Sequence, residues 1–281
     1  VRVRVVPREG ADATVQLDGY LEYPSTWSAR GGVARHDRHL GTIDAVVLAC
    51  RATESISRGV GDLRAVDIAA SAAPTTRLDV VPIELEGADG EVFGFRVGGI
   101  RVSISMDAPR ESRRADEMPE WMTSWQPTST ARLRLEDVQV DAGAGSARAT
   151  VRVVAWEESL WHIDAHAPLL SAADAIAAAG AITEAAVFHR AGVQRDAVGN
   201  FWMRRAHIDF DAASVRRSSA LLSVETVHSH VFERGASRWH SARVRVESGF
   251  GFRIRADVAF EEHPRQQAGG DSPVGGSGVS T

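Results

Sequence analysis

The chain has no lysine; all 32 of its basic residues are arginine. A lysine Schiff base and the lysine of a phosphate-binding P-loop are therefore excluded. Cysteine occurs once, at Cys50. A single cysteine makes no intrachain disulfide and no cysteine-based zinc site, and a reducing cytoplasm is the expected compartment. Its apolar surroundings mark it as an inert core residue rather than a nucleophile. No apolar run reaches the roughly 18–20 residues of a membrane span. The opening "VRVRVV" does not have the pattern of a signal peptide, so no membrane partner is expected. A GxGxxG after a strand, a P-loop and a GxSxG elbow are all missing, and no nucleotide or other cofactor is expected. The net charge of −5 gives no reason to expect nucleic acid or another polyanion. "ETVHSHVFE" sets His228 and His230 on one strand face. Without a nearby cysteine or an HExxH pattern it reads as a surface strand, not a metal site.

What is present is an ordinary globular balance, 44% hydrophobic and 25% charged, over 281 residues. That length suits one large domain or two of usual size. Residues 1–7 alternate as a strand, "REGADA" turns, and "TVQLDGYLEY" is a second strand. A loop leads to a helix expected from about His39 to Ser57, followed by the strand-like runs "LRAVDIAAS", "RLDVVPIELEG" and "EVFGFRVGGIRVSISMD". Residues 108–130 are rich in proline, charge and Ser/Thr and read as a linker. Then the order begins again, with strands at "ARLRLEDVQV" and "ARATVRVVAW", a helix from about Leu170 to His189, and three further strand runs. "GFGF" at 249–252 is expected to bulge or bend its strand. The final Gly/Ser/Pro stretch, 263–281, is expected to be disordered.

The second half repeats the first at an offset of 130. "HDRHLGTIDAVVLACRATE" (36–54) lies over "HAPLLSAADAIAAAGAITE" (166–184) with seven identities in nineteen positions, His36/His166, Asp44/Asp174 and Glu54/Glu184 among them. Each unit therefore holds a strand hairpin, one apolar helix and further long strands. A helix apolar nearly all round has to be wrapped, not laid on a surface. The expected class is α+β, a double hotdog with two antiparallel sheets each wrapped around a central helix. The first unit spans 1–107 and the second 131–262. The alternative is two unrelated α+β domains.

The helix starts draw attention because each carries an acid in an apolar run. Helix N-termini favour carboxylates and anions, and a buried carboxylate next to a histidine is suited to acid–base work. His36, His39, Asp44 and Asp174 are the catalytic candidates, with His166 beside the second acid. The competing reading is that the acids only cap backbone N–H groups. Glu54 is expected to face solvent, and Glu184, followed by "AAVF", to be enclosed and functional. In "GNFWMRRAHIDF", strand alternation places Trp202, Arg204 and Ala206 on one face and Met203, Arg205 and His207 on the other. Arg204 or Arg205 could bind an anionic group; solvated arginines on an edge strand are the alternative.

"YLEYPSTWS", "HLGTIDAVVLA" and "GNFWMRRAHIDF" resemble the avirulence protein D (AvrD) family over most of residues 1–262. That resemblance implies joining a β-ketoacyl thioester to a small sugar-like acceptor, as in syringolide formation. It is in line with the related A-factor biosynthesis hotdog proteins, which are linked to β-ketoacyl transfer and butyrolactone-like products. Trp27, Ser171, His166, Trp202, Arg204 and Arg205 are then the substrate-binding candidates. The partners implied are an acyl carrier protein or coenzyme A thioester and a small polyol, with the protein a monomer or homodimer. "HAPLLSAADA" is also similar to the second-helix motif of polyketide-synthase dehydratases, themselves double hotdogs. Here Ser171 stands where that motif has its aspartate, Asp174 comes three residues later, and the proline expected near Gly41 is absent. A dehydratase or hydratase, with His36 or His39 and Asp174 as its dyad, is therefore the second reading. A non-catalytic acyl or lactone binder is the third.

Overall fold

A computed structural model describes residues 2–7, 16–23, 29–30, 33–34, 39–57, 59–60, 62–70, 75–76, 78–107, 111–112, 126–127, 131–156, 171–211, 217–235 and 237–262. Trp27, His36, His166, most of 108–130 and all of 263–281 lie outside the described residues.

The first half contains β1 (Arg2–Pro7), β2 (Gln16–Glu22), β3 (Ala29–Arg30), β4 (Val33–Ala34), α1 (Thr42–Ile56), β5 (Gly59–Val60), β6 (Leu63–Ala70), β7 (Val81–Asp89), β8 (Val92–Val97) and β9 (Ile100–Met106). Two short strands follow, β10 (Glu111–Ser112) and β11 (Gln126–Pro127). The second half contains β12 (Ala131–Asp141), β13 (Ser146–Trp156), α2 (Ala172–Ala191), a 3-10 turn at Arg195–Ala197, β14 (Val198–Phe210), β15 (Ser219–Arg234), β16 (Ser237–Ser248) and β17 (Phe252–Glu262). Both helices lie close to their expected spans. Two runs read as single strands each divide into two: the 91–107 run turns at Gly98, and the last run turns at Gly249–Gly251, within "GFGF".

The long strands form one antiparallel sheet of thirteen in the order β11-β1-β2-β7-β8-β9-β6-β14-β17-β16-β15-β13-β12. Counted inward from β1 and from β12, both halves follow the same path, in which the third long strand comes to the centre. The repeat seen in residues is thus a repeat in topology. The two expected sheets join edge to edge, because β6 and β14 pair antiparallel with Ile68 opposite Ala206 and Asp67 opposite His207. This seam satisfies backbone groups that would otherwise leave each unit with an open edge.

Alternation decides which face is inside. On β17, Phe252, Ile254, Ala256, Val258 and Phe260 are buried, while Arg253 and Arg255 are exposed. The helices lie on that apolar side and pack on each other as well as on their strands. As a result every α1 residue from Asp44 to Thr53 is buried. Leu48 is 0% exposed, and full burial of such a side chain stabilises by ~1.5–3 kcal/mol. Gly19 on β2 lets α1 come this close, since a Cβ there would stand 2.9 Å from Leu48 Cδ2.

Candidate active site

The segment entering α1 is held from the side. The Leu40 N–H donates to the Thr75 carbonyl at 2.8 Å. Gly98, at φ +55° in the β8–β9 turn, lies beneath it; a Cβ there would be 3.0 Å from both Leu40 and the Thr75 hydroxyl. Only glycine combines that backbone with that clearance. Gly41 is consequently the N-cap and Asp44 the third residue of the helix.

Asp44 is 6% exposed. Its Oδ2 accepts from the Gly41 N–H at 3.0 Å and from the Tyr23 hydroxyl at 2.7 Å. The same hydroxyl lies 3.4 Å from the His39 carbonyl. It has one proton to give, and the shorter contact assigns that proton to the carboxylate. Oδ1 takes no hydrogen bond among the described residues. Burial lifts the Asp44 pKa above the usual carboxylate range. The bonds from Tyr23 and Gly41, and the charge of His39 when protonated, pull it only part of the way back. His39 stands just ahead of the helix, and its ring lies against Trp202 with centroids 5.5 Å apart at 36°. Trp202 belongs to β14, so the two halves of the chain meet at this helix start.

At α2 the same position behaves differently. Asp174 is 2% exposed and is also the third helical residue. Its Oδ2 accepts from the Ser171 N–H at 3.1 Å and the Ser171 hydroxyl at 2.8 Å, while the Asp174 N–H donates back to that hydroxyl at 3.1 Å. This is a complete capping box. Gly41 has no side chain, so α1 possesses only the carboxylate half. The capping alternative therefore fits the described contacts of Asp174 and Ser171, and fits Asp44 in part. At the offset of 130, Tyr23 falls on Val153.

The remaining candidates separate. Glu54 does not face solvent as expected: it pairs with Arg51 at 2.8 Å, the side chains 10% and 4% exposed. Glu184 accepts from Arg195 Nε at 3.1 Å, and Arg195 also holds the Val198 and Gly199 carbonyls. That places Glu184 in the clip between α2 and β14. The expected alternation along β14 is broken by a bulge between Met203 and Arg205. Phe201 and Met203 pack on the core with Ala206 and Ile208, whereas Arg205 is exposed. Trp202 and Ala206 are accordingly not the regular same-face pair that simple counting gives. Beyond the bulge His207 bridges Asp67 at 2.6 Å and Asp209 at 2.9 Å across the seam. His228 and His230 are exposed, and no group of three metal-ligating side chains occurs among the described residues. Tyr23 is the site residue that sequence reasoning missed. It stands in the quoted "YLEYPSTWS", but its partner is 21 positions away, and no local pattern links them.

The family model of the Pseudomonas avirulence D protein (AvrD) matches residues 126–262. No curated protein matches the chain in sequence. Among solved structures, a conserved protein of unknown function with a hot dog fold from Alicyclobacillus acidocaldarius superposes with a TM-score of 0.51 and 14% identity, covering 91% of this chain and 96% of that one. The tesB protein of Mycobacterium avium subsp. paratuberculosis gives 0.50 and 11%, covering 89% and 93%. These likenesses concern the fold, and they extend over both halves of the chain.

Proposed function

We propose that this chain is an enzyme that adds or removes water at an acyl thioester, with its working centre at the start of α1. The observation that carries this reading is Asp44. It is a buried carboxylate that holds its proton more tightly than usual, with Oδ2 anchored twice and Oδ1 without a hydrogen bond among the described residues, beside His39. In dehydration, His39 takes the proton from the carbon next to the thioester carbonyl. Asp44 gives its proton to the 3-hydroxyl, which leaves as water. In hydrolysis, water adds to the carbonyl carbon, its proton passes to the base, and the carbon–sulfur bond breaks to release the thiol. The first turn of α1 contributes positive potential to the carbonyl oxygen in either case. Trp202 forms the wall contributed by the second unit. The carrier would be coenzyme A or an acyl carrier protein. The units are taken as 1–107 and 131–262, separated by 108–130.

The match of residues 126–262 to AvrD favours a second reading. There the same centre passes a β-ketoacyl group to a small hydroxylated, sugar-like acceptor, with Arg204 or Arg205 meeting an anionic acceptor. One set of incubations separates the readings. Enoyl product from a 3-hydroxyacyl thioester, or free thiol from a saturated one without any acceptor, supports water chemistry. Free thiol that appears only with a polyol, together with an ester, supports transfer. No product from any of them, with micromolar binding of the thioesters, would leave a binding protein and sink both enzymatic readings.

A further inference from the structure

We propose that Tyr23 is a positioning residue of this centre: its phenol fixes Oδ2 of Asp44 and so leaves Oδ1 turned to the reacting group. This rests on the reading of Asp44 as the acid–base group and adds the residue that makes it one. The 2.7 Å contact is the shorter of the two hydrogen bonds that hold the carboxylate. The other donor, the Gly41 N–H, has an equivalent in α2 at Ser171. At the offset of 130 the phenol falls on Val153, which has no donor side chain, and among the described contacts the Ser171 hydroxyl donates to Asp174 Oδ2 instead. Among the described contacts, then, Asp44 takes its second donor from Tyr23, just after β2, and Asp174 takes its own from its N-cap. A hydrogen bond to the charged form of a carboxylate favours that form, so Tyr23 also decides over which pH range Asp44 carries its proton. Among the described residues, the other titratable side chain acting on Asp44 is His39, ahead of the helix.

The chain has only two tyrosines, Tyr20 and Tyr23, and Tyr20 lies under the Arg4 guanidinium. That makes the test selective. The Asp44 carboxyl is followed by carbon NMR in the full-length protein labelled at aspartate, its signal identified by loss in Asp44→Asn. In Tyr23→Phe its midpoint should move to higher pH. Uniform fluorotyrosine, a stronger donor on an unchanged backbone, should move it to lower pH, and should still do so in Tyr20→Phe. The limb of the kcat/KM profile governed by Asp44 should move the same way in each variant. Midpoints that stay at the wild-type value in both the Phe and fluorotyrosine proteins would overturn the proposal. So would a fluorotyrosine shift that disappears in Tyr20→Phe. Absence of thioester turnover in the wild type would refute the functional reading alone, since the carboxyl titration is read without substrate.

Discussion

At the start of α1 a glycine stands where α2 has a serine, and a tyrosine reaches in where the second unit has a valine. Both helices place an aspartate at the same third position, and both aspartates are buried. Asp174 shares three hydrogen bonds with its own N-cap, two of them accepted by its Oδ2. Asp44 is held by one local N–H and by a phenol from another element. The first arrangement is a complete local capping box; the second brings a donor to the carboxylate from outside the helix. Duplication supplied two equal starts, and two side chains separate a cap from a candidate acid. A buried acid is tolerated at both starts because hydrogen bonds offset part of its desolvation.

The comparison is broken or sharpened most directly at the two acids. Asp44→Asn should lower turnover at least ~100-fold, the usual share of a general acid or base, while Asp174→Asn keeps turnover within a few-fold of wild type. If folded Asp174→Asn is as inactive as Asp44→Asn, the assignment of the first start is wrong. The stability of Asp44→Asn gives an independent check. A folded-state pKa above the unfolded value means that stability is lost as pH rises from the ordinary carboxylate range through the folded pKa. The Asn variant escapes that loss, so its Tm at neutral pH should be no lower than that of the wild type.

Gly41→Ser tests whether one helix start can be turned into the other. A Cβ at Gly41 would stand 3.0 Å from Asp44 Oδ2, so the new hydroxyl should compete with Tyr23 for that oxygen. Turnover is expected to fall ~10-fold or more through misplacement of the carboxylate, with stability unchanged or slightly raised. Wild-type turnover in this variant would mean that the open N-cap has no role. Ser171→Ala should cost ~1 kcal/mol in urea unfolding and leave kcat/KM unchanged, as befits a structural cap.

The smallest expected effect lies at the seam between the units. Burial works against charge on His207, but its hydrogen bonds to Asp67 and Asp209 together outweigh it and raise its pKa. The charged form is thus favoured in the folded state. Its contribution should be complete below the unfolded histidine pKa and fade as pH rises through the folded one. His207→Gln should flatten stability against pH in that window. An unchanged profile would remove His207 from the account of the seam.

Much of this architecture was legible along the chain. The 130-residue repeat, the two apolar helices and the alternating strands announce two wrapped helices, because apolar periodicity reports directly which surfaces must leave water. Asp44 and Asp174 also stood out, as charges inside apolar runs. Strand spacing did not foretell the bulge at Met203–Arg205 that shifts the faces of β14, since one extra residue leaves no trace in composition. Nor did composition reveal that Glu54 turns inward to Arg51, or that the partner of Glu184 is Arg195. Ion pairs of that kind depend on which elements arrive beside the helix.

The sequence by itself determined that there would be two units, each with a buried helix and an acid in its first turn, because hydrophobic pattern and repeat are properties of the chain. Which donors from outside the helix reach the acids was decided only by the tertiary structure. Ser171 is local to its own helix, whereas Tyr23, just after β2, and the Trp202 ring that closes on His39 come from parts of the chain whose neighbourhood exists only once the sheet has formed and its halves have joined.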